Sequence, residues 1–481
     1  MPSSRLLSTP VAALAALVLS ACTSLHTGYQ SPDARIPAQW SAASEASQQA
    51  IRQAALHDAW WTRFGDATLD QLVTQALEQN PDLVTAAWNI QIARLNAGLA
   101  DDRATPSLGA STSTNASHNF DAGSTGRSYS VGLNLSYEVD LWGKIASQRD
   151  AAQWRVQASQ SDLQTTALTL VANVATLYWQ LGYQNEQIRS GEQSLAHVQR
   201  TRQLVQAQYD AGSVSGLELQ EARRSVASQE SALVQLRQER VNTLNALAVL
   251  LNQPPSGESI ALLLPAEPQA LPQSRVPDIP AGLPAQVLQR RPDLQAAEAR
   301  LRATLADGDA TRASYYPSIS LTSSVGSSSS ALGNLLSNPI GTLGASLAFP
   351  FLNQTQMRLN NAISRATYES ASVAFQKTFY TALQEVETAL GARQQLQTQA
   401  GLLQEQLEAA RQVEALNEVR YRAGATTLKN WLDAQESRRN AELTVSANRL
   451  SQLTNQLTLY KALGGDTVFE APASVSSAIQ P

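Results

Sequence analysis

The segment Asn80-Pro81-Asp82-Leu83 returns as Arg291-Pro292-Asp293-Leu294, and Pro106-Ser107 returns as Pro317-Ser318, each about 211 residues later. Tyr209-Asp210-Ala211-Gly212 has a twin at Tyr421-Arg422-Ala423-Gly424, about 212 residues on. Anchors that keep one register from position 80 to position 212 mark a duplicated unit. A chain of 481 residues would by length alone suggest about three domains. The duplication argues instead for two halves of one structure.

Both Tyr-x-Ala-Gly segments lie between long, proline-free helical patterns. A glycine just after a helix supplies the left-handed residue that ends it, and the hydroxyl residues that follow can cap the next helix. Each segment therefore predicts the tip of a long helical hairpin. In the first hairpin, Leu163, Ala167, Leu170, Val174, Leu177 and Leu181 step by four and three, the spacing of a coiled-coil seam. The helix from Lys144 to Asp210 could reach roughly 100 Å at about 1.5 Å per residue. Alone, these helices would suit a soluble coiled coil.

Four short stretches have a different period. Leu108, Ala110, Thr112, Thr114 and Ala116 alternate with small polar residues, and Tyr129, Val131, Leu133, Leu135 and Tyr137 do the same. The second half repeats this with Ile319, Leu321 and Val325, then Leu343, Ala345, Leu347 and Phe349. A period of two with one apolar face and one small, uncharged face predicts strands. Their length, about ten residues, suits crossing a bilayer. Tyr129, Tyr137, Trp142, Tyr315, Tyr316, Phe349 and Phe351 lie near strand ends, where an interfacial girdle would place them. Four strands cannot close, and open edges are not tolerated in lipid. The chain must then share a barrel with its own copies, eight strands in a dimer or twelve in a trimer.

The start of the chain reads as a targeting segment. Arg5 precedes an apolar run from Leu6 to Leu19, which ends in Leu19-Ser20-Ala21-Cys22, and Cys22 is the sole cysteine. This spells a lipobox on a signal peptide, with lipid carried by Cys22. Such a chain anchors but does not span. Thr23 and Ser24, rather than Asp, follow the cysteine, which by resemblance to Gram-negative sorting favours the outer membrane. A net charge of −5 and the absence of a basic block argue against nucleic acid as a partner. His26, His57, His118 and His197 are scattered, and no phosphate loop, nucleophile elbow or paired-cysteine motif appears, so no enzyme is expected. Trp60 and Trp61 are expected as a packing anchor, and Asp66 as the cap of the helix that follows.

Taken together, Cys22, Trp60-Trp61 with Phe64-Gly65-Asp66, Asn80-Pro81-Asp82-Leu83, Tyr137-Glu138-Val139-Asp140-Leu141-Trp142-Gly143-Lys144, Arg291-Pro292-Asp293-Leu294 and the two tips resemble the TolC-like outer-membrane efflux protein family. The nearest likeness is to its lipoprotein branch, which serves resistance-nodulation-division pumps, and it covers essentially the whole mature chain. The resemblance implies a mixed α and β membrane protein. A homotrimer would form a twelve-stranded β-barrel, four strands from each protomer, continued by a long periplasmic α-helical barrel. On that reading the chain divides into a signal peptide (1–21), a lipidated arm with the first leading helices (22–104), a first β-hairpin (105–138), a first long helical hairpin (139–253) and a Pro-rich equatorial connector (254–290). A second leading helix (291–316), a second β-hairpin (317–350), a second helical hairpin (351–464) and a tail (465–481) complete it.

The implied function is passive export. An inner-membrane pump supplies energy, a periplasmic adaptor of the membrane fusion class couples it, and this protein is the exit duct in outer-membrane lipid. No cofactor is implied beyond the N-acyl and diacylglycerol lipid of Cys22. In such proteins the hairpin tips form a periplasmic gate and dock the adaptor. Residue by residue, Tyr421 falls on the family's gate tyrosine and Asp433 on a gate aspartate. Asn430 and Thr426 fall where some members carry another aspartate and an arginine, so a charged latch between hairpins is expected to be weaker here. Glu218 sits where some members place an acid, and Tyr209, Gly212 and Gly424 belong to the docking tips. Three Asp433 carboxylates around one axis would repel one another. A duct for type I protein secretion and a structural periplasmic lipoprotein stand as the other readings.

Overall fold

The computed structural model describes residues 25–32, 60–257, 264, 266–274 and 290–465. The signal segment, Cys22, most of the arm, several connector prolines and the tail lie outside the described residues. Two compact units result, one from residues 1–34, 89–161 and 296–378, the other from 35–88, 162–295 and 379–481.

The first unit holds one sheet. Strands β1 (Ser107–Asn119), β2 (Ser124–Val139), β3 (Ser318–Ser329) and β4 (Ile340–Ala348) lie in the order β1-β2-β3-β4, every neighbour antiparallel. The register puts like residues on like faces. Leu108 stands opposite Leu135, Ala110 opposite Leu133, and Leu133 in turn opposite Val325. The other face carries hydroxyls that pair across strands: Ser107 with Ser136 at 2.7 Å, Ser113 with Ser130 at 2.7 Å, and Ser324 with Thr342 at 2.6 Å. Gly132 faces Gly326, and a Cβ on Gly326 would come within 2.9 Å of the Val131 carbonyl oxygen, so only glycine fits there.

Strands β1 and β4 each have a partner on one side only. Along β4 every residue is exposed, with Leu343 at 88% of its full accessibility. The four strands expected from the alternation are all present. At one end of the sheet Trp142 donates from Nε1 to the Pro317 carbonyl at 2.8 Å and packs on Tyr316, while Phe349 meets Phe351 edge to face. Tyr315 departs from the girdle reading. It is buried, and its hydroxyl accepts from Asn360 Nδ2 at 2.6 Å, because the helix that follows β4 covers it.

Among the described residues there are seven α-helices, beside three short 3-10 turns: α1 (Ala67–Gln79), α2 (Pro81–Asp102), α3 (Lys144–Asp210), α4 (Gly216–Leu250), α5 (Pro292–Ala313), α6 (Gln354–Arg422) and α7 (Leu428–Ala462). In the second unit Asp66 caps α1 by accepting from the Thr68 and Leu69 amides, and it also takes the Tyr178 hydroxyl at 2.9 Å. Burial and this carboxylate both push the Tyr178 phenol up. Trp60 is buried and stacks on Tyr460 at 4.4 Å, and Phe64 meets Trp179 at 4.8 Å, so the tryptophan pair anchors packing as expected. Of the seam residues in α3, all but Leu177 are fully buried. The described connector residues are strapped to helices: Arg240 pairs with Glu267, Asn185 donates to the Pro268 carbonyl, and Arg449 donates to the Pro272 carbonyl. Among the described residues no helix is long and apolar enough to cross a membrane.

Candidate functional site: the paired hairpin tips

Each long hairpin of the second unit turns on a left-handed glycine, Gly212 and Gly424, both with φ near +73°. The hydrogen bonding around them is the same. Gly212 N donates to Tyr209 O and Ser213 N to Gln208 O, while Gly424 N donates to Tyr421 O and Ala425 N to Arg420 O. This six-to-one closure satisfies the last carbonyls of α3 and α6. A Cβ on either glycine would meet nothing within 4 Å, so the requirement for glycine is conformational and not steric.

The helices that leave the tips begin differently. Ser215 caps α4 in a full capping box, its hydroxyl accepting from Glu218 N while Glu218 Oε2 accepts from Ser215 N at 3.0 Å. Thr427 caps α7 by accepting from Asn430 N, but Asn430 does not return a bond to the cap. Its Nδ2 donates to Thr426 Oγ1 at 3.0 Å instead. Asn430 and Thr426 thus hold each other as a neutral pair inside one chain.

Between the tips lies a small core of Val205, Leu219, Ala222, Leu428 and Trp431, with Tyr421, Val214 and Leu432 packed against it. Tyr421 stacks on Trp431 with centroids 5.2 Å apart, and its hydroxyl donates to Gln208 Oε1 at 3.1 Å. The bond crosses from the second hairpin to the first. Burial, with the Glu218 carboxylate as the next cause, raises the Tyr421 phenol above its ordinary value. His197 on α3 sets its ring edge on Trp431 and is hydrogen bonded to Gln435 of α7. Asp433 is exposed and ion-paired with Lys429 one turn earlier, so its charge is shared within its own helix. It lines a polar cavity of about 560 Å³ with His197, Arg224, Glu414, Glu436 and Arg439. Tyr209 stays half exposed beside Gly216. The structure therefore gathers Tyr421 and Glu218, leaves Asp433 with Lys429, and keeps Cys22 outside the described residues.

Trp431, His197, Gln208 and Lys429 escaped the sequence reading. The Lys429-x-x-x-Asp433 spacing carried a signal for the ion pair, and Ser215-x-x-Glu218 carried one for the capping box. Nothing in the sequence joined Gln208 to Tyr421.

The outer membrane efflux protein family profile matches residues 72–253 and again 283–465, one match for each repeat. The chain belongs to the outer membrane efflux protein family. It is 34% identical over 447 residues to the pyoverdine export outer membrane protein OpmQ of Pseudomonas putida, covering 91% of this chain and 93% of that one. The open-state crystal structure of the Neisseria gonorrhoeae MtrE outer membrane channel shares 29% identity over 92% of this chain and 98% of its own, with a TM-score of 0.79. The Campylobacter jejuni CmeC outer membrane channel, at 22% identity, has the same fold with a TM-score of 0.85 over 95% of this chain and 98% of that one. As an outer membrane efflux protein the chain is an exit channel of an efflux system, with strands for the outer membrane and helices for the periplasm.

Proposed function

We propose that three copies close one twelve-stranded barrel, held additionally by lipid on Cys22, and that the tips are its periplasmic gate and docking end. The observation that carries this is the sheet with two unpaired edges and an exposed apolar face. Lipid does not tolerate open backbone edges, and twelve strands leave a channel where eight are filled by side chains. The partners on this reading are a periplasmic adaptor and an inner-membrane resistance-nodulation-division pump. The cargo is small molecules, in line with the pyoverdine named for its relative. Apart from Glu138, which is ion-paired with Lys144, the hydroxyl face of the sheet is uncharged and suits cargo of varied charge.

The gate on this reading is held by the Tyr421–Trp431 stack and the Tyr421–Gln208 bond, with Asp433 at its exposed rim. Adaptor docking uses the half-exposed Tyr209 and the turns at Gly212 and Gly424. Purified protein should show a trimer mass and conduct in planar bilayers, and Asp433→Ala should raise conductance and drug entry. A monomer that does not conduct would sink the duct, and unchanged conductance in Asp433→Ala would remove that residue from the gate. Mass spectrometry of wild type against Cys22→Ser reads the lipid directly.

A further inference from the structure

The two strand connections at the end of the sheet away from the helices are unequal. Residues 120–123 join β1 to β2, whereas residues 330–339 join β3 to β4. A hairpin needs only about two to five. The longer connection closes on itself, Leu335 N donating to Leu332 O and Ser337 N to Asn334 O. It then lies against the sheet, where the buried Ser327 donates from Oγ to the Asn338 carbonyl at 3.0 Å. Ser327 stands opposite Val131 on the apolar face, so the connection folds onto that face and not over the hydroxyl one. It leaves an open cleft of about 430 Å³ walled by Ala110, Thr112, Val131, Leu133, Val325 and Leu336. Leu332 and Leu336 are 64% and 78% exposed among the described residues.

Arg127 lies on the same face, opposite Ala116. It is exposed, and it pairs with no acid among the described residues. Along β2 it stands about 14 Å from Val131, on the side of the turn. From Arg127 to Tyr137 the strand climbs roughly 25 Å when tilted as barrel strands are, the height of a barrel's apolar band. The cation therefore stands at the rim of the hydrocarbon, with the cleft just inside it.

We infer that this face binds one lipid of the outer leaflet, its phosphate on Arg127 and one acyl chain in the cleft beneath Leu336. The inference rests on the barrel reading above, in which the apolar face meets lipid. The helices lie on the periplasmic side, so the strand connections lie at the outer leaflet. The lipid there is the phosphorylated, multiply acylated glycolipid lipid A. A guanidinium takes a phosphate through two parallel hydrogen bonds, and the cleft below offers the chain walls that are chiefly hydrocarbon. Strands β2 and β3 are paired on both sides, so strands added at β1 or β4 leave the cleft open to the membrane.

Native mass spectrometry of full-length protein, released from outer membranes into mild detergent, should show trimers carrying lipid A. Trimers freed of lipid and titrated with purified lipid A should bind it again. Arg127→Gln should weaken that binding about tenfold, the worth of one hydrogen bond to a charged group. Arg127→Lys should weaken it less, and Leu336→Ala about threefold through the lost cleft wall. Arg94→Gln, a lost cation on α2, should bind as wild type does. A wild-type trimer that takes up no lipid A overturns the site and leaves the duct standing. Equal binding by Arg127→Gln and wild type, or an equal loss in Arg94→Gln, overturns it too. Phosphatidylglycerol carried in place of lipid A overturns the assignment to the outer leaflet. Absence of any trimer overturns both readings.

Discussion

The two repeats perform the same duties with different residues, and the helix junctions show this most plainly. Asn80 Nδ2 donates to the Leu250 carbonyl at 2.9 Å, and Arg291, its equivalent, donates from Nη1 to the Ala462 carbonyl at 3.0 Å. Each ties a helix start to the end of its repeat's last helix. Asn80 also caps its own helix, accepting from the Asp82 and Leu83 amides. Arg291 is buried and carries ion pairs to Asp293 and Glu385. Duplication has kept the bond and let the side chain drift.

At the tips the drift changes character. The glycine turns are equivalent, yet Leu219 is matched by Trp431, and Glu218 by Asn430. The first tip is a self-sufficient cap, while the second leans on the first through Tyr421 and Gln208. Separating the two tips would therefore need the Tyr421–Gln208 bond to break.

Matched substitutions can break this comparison. Trp431→Ala removes a buried ring and the stack under Tyr421, and should destabilise the second tip by about 3–5 kcal/mol. Hydrogen exchange should localise the loss there, with increased drug entry; protection unchanged around Tyr421 would refute the asymmetry. Next, Arg291→Met strands two acids and the Ala462 carbonyl and should cost about 2–4 kcal/mol. Asn80→Ala should cost about 1–2 kcal/mol through its cap and one bond. Thermal unfolding of the two variants should keep that order.

Gly212→Ala and Gly424→Ala should cost about 1–2 kcal/mol each and equally, since both hold the same left-handed geometry in open space. Unequal losses would mean that one tip carries a contact the other lacks. Asn430→Glu should complete a capping box on Thr427 and gain about 0.5–1 kcal/mol, and Glu218→Ala should lose about the same. The smallest effect concerns alkali. Folded Tyr421 keeps its proton above its ordinary value, so the stability it contributes is present below about pH 10 and declines as pH rises past it. Tyr421→Phe should lack that part of the slope in a pH series of unfolding.

Much of this was written in the chain. The duplication, the four alternating strands, the glycine turns, the Asp66 cap and the tryptophan anchor follow from spacing, because each depends on neighbours within a few residues or on a period. The Glu218 cap was also legible, in the Ser215-x-x-Glu218 spacing of a capping box. Tyr315, read as an interfacial aromatic, is buried by a helix whose placement no local pattern states.

Sequence alone determined the elements and, through the strand count, the need for copies of the chain to complete a barrel. The tertiary structure decided which groups meet across long separations: Gln208 with Tyr421, His197 with Gln435, Arg291 with Glu385. Local periodicity follows from the fixed geometry of helix and strand, whereas these meetings depend on how helices tens of ångströms long are rotated against each other. A helix turns by about 100° per residue, so one residue of drift would replace every such partner.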